Sequence, residues 1–335
     1  EVKKHYKSVY STISERQIIQ VPVKIHIIQA TSGFGGIDST TVFEAIDIVN
    51  NKFSSASLEF YSCTNINYIK NNDYTLFVKN DSEDICDIND RDNVLNIYFA
   101  PELIKYTSSD TISLCGYAYM SGSKDRIIMD NDCSDNGTTL SHEIGHYFSL
   151  YHTHEDDFGD EFVNGSNCQT AGDLLCDTPA DPKLSTSTVN SSCQYTGTDT
   201  DPIGMQYSPD VQNLMAYGRK SCRDYFSQEQ SGQMNFYAQT YRNYLSCYPA
   251  GLDNDLIHSS IKFNYDNLNN QMSITGLNEN GTYNIELINM IGKRVLQKGL
   301  TYRDAINLGS SIENQIYILR LYRDNNVILN KMIYL

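Results

Sequence analysis

The chain has 335 residues, 40% of them hydrophobic, and a formal charge of -16. Such an excess of carboxylates repels phosphate backbones and anionic lipid, which excludes nucleic acid and membrane surfaces as expected partners. No apolar run approaches the roughly 18 residues a membrane-spanning helix requires, so no membrane insertion is expected. The length allows one large core and a second, smaller domain.

Residues 1–20 read as an N-terminal arm or the remnant of a prosegment. No basic segment leading into an apolar one precedes Val21, as a signal peptide requires, so such a segment is expected to have been removed. Val21 to Ile28 alternates well enough for a strand, and Gly33, Gly35 and Gly36 mark the loop after it. Val42, Ile46, Val49 and Phe53 recur at helical spacing, with Thr41 and Glu44 placed as a capping box at the helix start. Leu95 to Phe99 and Arg126 to Met129 read as further strands, the second running toward a cluster of His and serving as the edge strand that pairs with an extended substrate. Thr139 to Ser149 is helical in pattern, with Leu140, Ile144 and Phe148 on one face and His142 and His146 offset from it.

Asp156 to Pro209 is rich in Asp, Gly, Ser, Thr and Asn and has little periodicity, which predicts a long irregular excursion. Cys168, Cys176 and Cys193 are available to staple it. The nine Cys all lie between Cys63 and Cys247, several of them among turn residues, which points to disulfides and an oxidising, extracytoplasmic compartment. Nine is odd, so at least one thiol stays free or pairs elsewhere. A last helix is expected from Ser227, with Gln230 as its capping partner, through Met234, Tyr237, Tyr241 and Leu245. After a linker near Tyr248 to Asp253 the Cys vanish and short alternating strands take over. They are expected at 260–265, 272–277, 283–290, 294–298, 316–322 and 327–333, with a hairpin through 323–326. The expected domains are thus 21–248 and 255–335, the second a small all-β sandwich.

Four of the seven His lie between positions 142 and 154. His142 and His146, one helical turn apart, put two imidazoles on one face, and His152 supplies a third nitrogen if the chain turns sharply after Phe148. Three protein ligands leave a fourth position for water, the mark of a catalytic zinc site, and Glu143 projects beside the metal as a general base and acid for hydrolysis of a peptide carbonyl. His154 fits no required spacing and reads as a solvated loop residue.

The segment His142-Glu143-Ile144-Gly145-His146-Tyr147-Phe148-Ser149-Leu150-Tyr151-His152, with Asn213-Leu214-Met215-Ala216-Tyr217 downstream, resembles the metzincin clan of zinc endopeptidases. The resemblance implies an α+β catalytic domain with a mixed twisted sheet, a backing helix, an active-site helix and a C-terminal helix, followed here by an immunoglobulin-like sandwich. It also implies that Met215 forms the turn beneath the metal and that Tyr217 stabilises the oxyanion. More narrowly, these segments together with 172–179 and 213–226 resemble the pappalysin family. That likeness implies a calcium site near Asp173, Asp177 and Thr178, and suggests a disulfide between Cys193 and Cys222. The family carries Gly at the position of Ser149, where the chain leaves the helix in a left-handed conformation, and a side chain there costs on the order of 1 kcal/mol. Arg219 and Lys220, which follow the turn, are candidate pocket residues that would disfavour Arg or Lys just after the cut.

Within the tail, 285–295, 317–321 and 331–333 resemble the sorting domains of type IX secretion, although the Pro-Asn-Pro opening is missing and Gln315 replaces a Gly. The resemblance implies a secreted or extracellular protein, surface-attached after export, whose partners are a protein or peptide substrate and the secretion machinery. Two other functions fit the sequence less well: a zinc exopeptidase or amidase, and a non-catalytic adhesin with structural zinc. Glu as a third metal ligand, from Glu155 or Glu161, is the alternative to His152.

Overall fold

The computed structural model describes residues 18–120, 124–134 and 137–247, and in the tail 262–266, 271–275, 277, 282–289, 293–301, 305–308, 312, 316–323 and 326–334. The chain divides between Cys247 and Tyr248 into two compact units. Among the described residues no helix is long and apolar enough to cross a membrane.

In the first unit the elements run β1 (Ile19–Gln29), α1 (Ser39–Phe53), β2 (Leu58–Ser62), β3 (Asn67–Lys70), β4 (Leu76–Val78), the single turn α2 (Asp84–Asp87) and β5 (Leu95–Ala100). They continue with β6 (Glu102–Tyr106), β7 (Thr111–Ser113), β8 (Gly116–Ala118), β9 (Arg126–Asp130), α3 (Thr138–Tyr147) and α4 (Gln228–Tyr241). The main sheet has the order β2-β1-β5-β9-β8, with β3 continuing the outer edge of β1. Its strands are parallel except β8, which runs antiparallel to β9. β4, β6 and β7 form a smaller sheet.

Side-chain alternation divides this sheet between two cores. Ile25, Ile27, Ile97, Phe99, Ile127 and Met129 pack with Val42, Val49 and Phe53 of α1 and with Leu140 and Ile144 of α3. Ile28, Tyr98 and Ile128 point the other way, onto Phe77, Leu103 and Tyr117. Burial on both faces explains why β5, LNIYFA, reads as a continuous apolar run rather than an alternating one.

Three expectations need correction. β9 is an interior strand, not the edge: the chain returns as β8, hydrogen-bonded along Gly116 to Ala118, so the edge beside the His cluster is β8. Helix α1 is capped by Asp38, whose carboxylate accepts the Thr40 N–H at 2.7 Å, and not by Thr41. β1 begins at Ile19, inside the segment expected to be an arm; residues 1–17 of that arm lie outside the described residues. Helix α4 is capped as expected, by the reciprocal Ser227 and Gln230 box.

Four disulfides join Cys63 to Cys247, Cys115 to Cys133, Cys168 to Cys176 and Cys193 to Cys222, the last being the suggested pair. Cys86 is the free thiol and is buried. The segment between α3 and α4 carries only isolated bridges, Val189 with Tyr195, Thr200 with Gln206 and Asn213 with Tyr225, so its shape depends on these staples.

In the second unit, β10 (Lys262–Asp266), β11 (Gln271–Thr275) and β14 (Ala305–Asn307) form one antiparallel sheet. β12 (Tyr283–Asn289), β13 (Arg294–Leu300), β15 (Ile316–Arg323) and β16 (Asn326–Tyr334) form another. Met272, Ile274 and Ile306 from the first sheet share one apolar cluster with Ile285, Leu287 and Leu319 from the second. Only three residues long, β14 was not expected; it has no alternation to read. The expected linker at 248–253 and the tip of the last hairpin lie outside the described residues.

Candidate metal centre

Helix α3 carries His142, Glu143 and His146, and almost all of it is buried. Burying a helix that bears two His and a Glu requires a partner for each polar group. The Nδ1 of His142 stands 2.7 Å from the Leu214 carbonyl, and that of His146 stands 2.8 Å from the Leu150 carbonyl. A carbonyl can only accept, so each Nδ1 carries the proton and each Nε2 keeps its lone pair. The Nε2 of His146 lies 3.1 Å from that of His142 and 3.0 Å from that of His152. Burial holds all three rings below their usual pKa, His142 far below, His146 at about 4 and His152 at about 2, so they are neutral. The Nε2 lone pairs of His142 and His146 thus converge with Nε2 of neutral His152 on one point. Tetrahedral nitrogen ligands at about 2.0 to 2.1 Å from zinc lie about 3.3 Å apart, which this triad nearly matches. These three His form a metal-ligating group whose ligand atoms all lie within 4.8 Å of one another.

His152 reaches the cluster because the chain reverses at Ser149, which adopts the left-handed conformation at φ 74°. The strain is offset locally. The Ser149 N–H donates to His146 O at 2.8 Å, Leu150 N–H to Gly145 O at 3.0 Å, and Gln233 Nε2 holds the Ser149 carbonyl at 2.7 Å. A serine therefore makes the turn that a glycine was expected to make. Glu155 and Glu161, the alternative ligands, are not in the triad.

Beneath α3 lies the turn 213–217. Met215 is fully buried, and a Cβ added at Gly145 would sit 2.6 Å from its sulfur, so only glycine lets the helix settle on the turn. The turn is held by Asn213, whose side chain accepts the Met215 N–H at 2.9 Å and exchanges amide hydrogen bonds with Gln230 of α4. Thr153 N–H donates to Met215 O at 3.3 Å, tying the His152 loop to the same turn. The Tyr217 ring stands 4.6 Å from that of His152 and is 43% exposed, leaving its hydroxyl accessible. His154 is not a solvated loop residue: it stacks on His152 at 4.8 Å, packs on Tyr217 at 4.4 Å and buries its Nδ1. These residues open on a cavity of about 460 Å³ whose other walls include Asp181, Lys183 and Tyr207.

Glu143 is buried beside edge strand β8, where a Cβ at Gly116 would lie 3.0 Å from its Cγ. Burial pushes its carboxyl up to about 7, against the pull of Lys79 and Arg223. The expected pocket cations behave differently from one another. Arg219 is turned onto the loop, donating from Nε to Val189 O at 2.6 Å and from Nη2 to Thr186 O at 2.9 Å, so it braces the excursion rather than lining a pocket. Lys220 Nζ lies 2.8 Å from Cys115 Sγ, against the disulfide that precedes β8. Arg223, whose charge is felt at Glu143, was not singled out by sequence spacing.

The acidic segment also rearranges the expectation. Thr178 Oγ1 donates to both oxygens of buried Asp173 at 2.9 Å. Asp177 is engaged elsewhere, its two oxygens accepting Ser227 Oγ and Glu229 N–H, each at 2.7 Å, at the start of α4. Asp173 is joined instead by Glu161, a buried carboxyl with one oxygen lacking a partner, raised to about 8 by burial and by the charge of Asp173.

Residues 115–238 match a family model described as pregnancy-associated plasma protein-A, a span that contains the three His, Glu143, Met215 and Tyr217. The chain is similar to an extracellular metalloprotease of Arthroderma benhamiae, 29% identical over 163 residues, which are 44% of this chain and 48% of that protein. It is also similar to one of Sordaria macrospora, 26% identical over 252 residues, 69% of this chain and 78% of the relative. The match thus spans about half the length of the first relative. Among solved structures, mirolysin in complex with compound 9 has a related fold, with a TM-score of 0.50 at 18% identity, covering 70% of this chain and all of that one.

Proposed function

We propose that this chain is a secreted zinc metallopeptidase of pappalysin type that cuts internal bonds of extended protein or peptide chains. The carrying observation is the convergence of three imidazole Nε2 atoms, that of His146 lying 3.1 Å from His142 and 3.0 Å from His152, with the rings of His142 and His146 each oriented by a backbone carbonyl. When bound there, zinc supplies Lewis acidity and lowers the pKa of water.

The remaining work falls to the chain's own residues. Glu143, raised to about 7, is poised near neutral pH to accept a proton from water and to return it to the leaving amine. Tyr217 donates its hydroxyl to the oxyanion that develops on the substrate carbonyl. β8, at the sheet edge and against Glu143, offers its backbone to an extended substrate, so the peptide adds as one more strand. Met215 shapes the floor on which α3 rests.

Two further assignments belong to this reading. Glu161, Asp173 and Thr178 form the hard-cation site, with calcium as occupant: the unpartnered Glu161 oxygen and the raised pKa are what two adjacent buried carboxylates show without their cation. The second unit is an immunoglobulin-like sorting domain for type IX secretion, consistent with four disulfides in the first unit and with relatives named extracellular.

Zinc content and casein cleavage, measured for the parent and for Glu143→Ala, test the core of this reading. Stoichiometric zinc in both, with activity lowered about 10² to 10⁴-fold in the variant, is expected. Equal activity in the two would defeat the assignment of Glu143.

A further inference from the structure

Buried guanidinium groups in this fold normally have carboxylates. Arg126 contacts Asp90, Asp87 and Glu83, and Arg242 contacts Asp125. Arg223 is the exception among the described buried arginines. It is 7% exposed, has no carboxylate at ion-pair distance among the described residues and donates a long Nη1 bond of 3.4 Å to Ala216 O; its Nε lacks a partner, as do Nε and Nη2 of Arg242, but Arg242 keeps Asp125. A cation taken out of water without a counter-ion is destabilising by several kcal/mol, so such a group persists where something else compensates it.

Its surroundings indicate what that is. Ala216 lies between Met215 and Tyr217, so the guanidinium is bonded to the turn under the His cluster, and Cys222 next to it is fastened to Cys193. Its charge is felt at Glu143, Tyr217 and His142. The charge of Glu143 favours the charged guanidinium from a distance, but Arg223 spends its one hydrogen bond on Ala216 O, and Glu143 is spoken for as proton carrier. On the opposite side, Lys79 sits over the Tyr117 ring of β8 at 4.3 Å and its charge also reaches Glu143. In a chain of formal charge -16, two cations flank the one glutamate that must stay free to work.

Resting on the peptidase reading above, we propose that Arg223 is a specificity-determining residue that selects substrates carrying a carboxylate side chain, Asp or Glu, beside the scissile bond. The substrate carboxylate completes the ion pair that the folded protein lacks, in a site dry enough for a bidentate Arg–carboxylate contact to count. A neutral isostere leaves the guanidinium buried and unpaired, and a basic side chain adds repulsion.

The test separates this proposal from the peptidase reading by measuring binding without turnover. The full chain, zinc-loaded and carrying Glu143→Ala, is titrated with an uncharged, end-blocked host peptide bearing one central Glu, and with its Gln and Lys twins. The Glu peptide is expected to bind at least ten-fold more tightly than the Gln twin, with the Lys twin weakest. Adding Arg223→Met should collapse the Glu-to-Gln ratio to near one, and Arg223→Lys should restore part of it. Equal affinities for Glu and Gln peptides, or a ratio that survives Arg223→Met, would overturn the proposal. Should Arg223→Met not fold, the Glu-to-Gln ratio of the Glu143→Ala chain alone decides it. In the active parent, cleavage of the Glu peptide should fall at a bond next to the Glu; failure to cleave any peptide would sink the peptidase reading and leave the binding result standing.

Discussion

The two faces of the main sheet treat buried polar groups in opposite ways. On the face away from α3, every such group is matched: Arg126 meets three carboxylates, Glu83 also accepts from Tyr117 at 2.8 Å, and His26 stacks on Tyr98 at 4.1 Å while bonded to Asn96 at 3.0 Å. Around α3 and the loop beyond it, three Nε2 atoms face each other, Arg223 lacks a counter-ion and Glu161 keeps an unpaired oxygen. Polar groups that complete one another rigidify a fold, whereas groups left incomplete await an ion or a substrate. Stability and function are thus housed on different sides of one sheet.

The largest effect that could break this contrast belongs to the satisfied face. Arg126→Met should cost about 3 to 5 kcal/mol in denaturant unfolding, because Glu83, Asp87 and Asp90 lose the buried guanidinium they share, with only the partly exposed Lys124 left beside Glu83 and Asp87; a loss under 1 kcal/mol would mean the network is ornamental. Next comes pH. The folded pKa of His26 lies at about 4 because burial disfavours its charged form, below the unfolded value of 6.5. Its contribution is therefore fully present above pH 6.5 and is lost as pH falls from 6.5 toward 4, by about 3 kcal/mol in all. His26→Gln should flatten that part of the stability profile relative to the parent, and identical slopes would refute the assignment.

On the site face, Gly145→Ala drives a methyl into Met215 and should lower stability by about 1 to 3 kcal/mol, with zinc affinity falling as α3 is lifted from its turn. Equilibrium unfolding with and without chelator would measure both. The smallest change is expected at Arg223. Replacing an unpaired buried cation with Met should leave the unfolding midpoint within about 1 kcal/mol of the parent, or raise it. A loss as large as that of Arg126→Met would erase the distinction between the faces.

Local patterns announced much of this arrangement. His142 and His146 sit at helical spacing, and Ser227 with Gln230 closes the capping box that starts α4, because both signals are written within four residues of sequence. Thr41 misled for the same reason: Asp38, Ser39, Thr40 and Thr41 are all competent caps, and only the carboxylate that reaches the Thr40 N–H identifies the first. β8 is three residues long and shows no alternation, so the true edge of the sheet was invisible and β9 took its place. Arg223 was missed, and Glu161 was named only as an alternative ligand at the His cluster, because their significance lies in what fails to meet them across the fold. Arg219 looked like a pocket residue until its two carbonyl acceptors, some 30 residues upstream, were brought beside it.

The cross-links of the first unit bear on how such a molecule survives its own company. If the peptidase reading holds, each molecule presents residues 156–209, itself a long irregular strand-poor segment, to the other copies in solution. The Cys168–Cys176 and Cys193–Cys222 links, with sequence separations of 8 and 29, close two loops in that segment that cannot be drawn out straight along the β8 edge of a neighbouring molecule. If a cut is made nonetheless, the Cys63–Cys247 link keeps the severed halves in one covalent piece, with α3 on one fragment and α4 on the other still able to close on each other. Autolysis of the oxidised protein should therefore appear as nicked, full-mass, active material, and should become fragmentation only once the thiols are reduced.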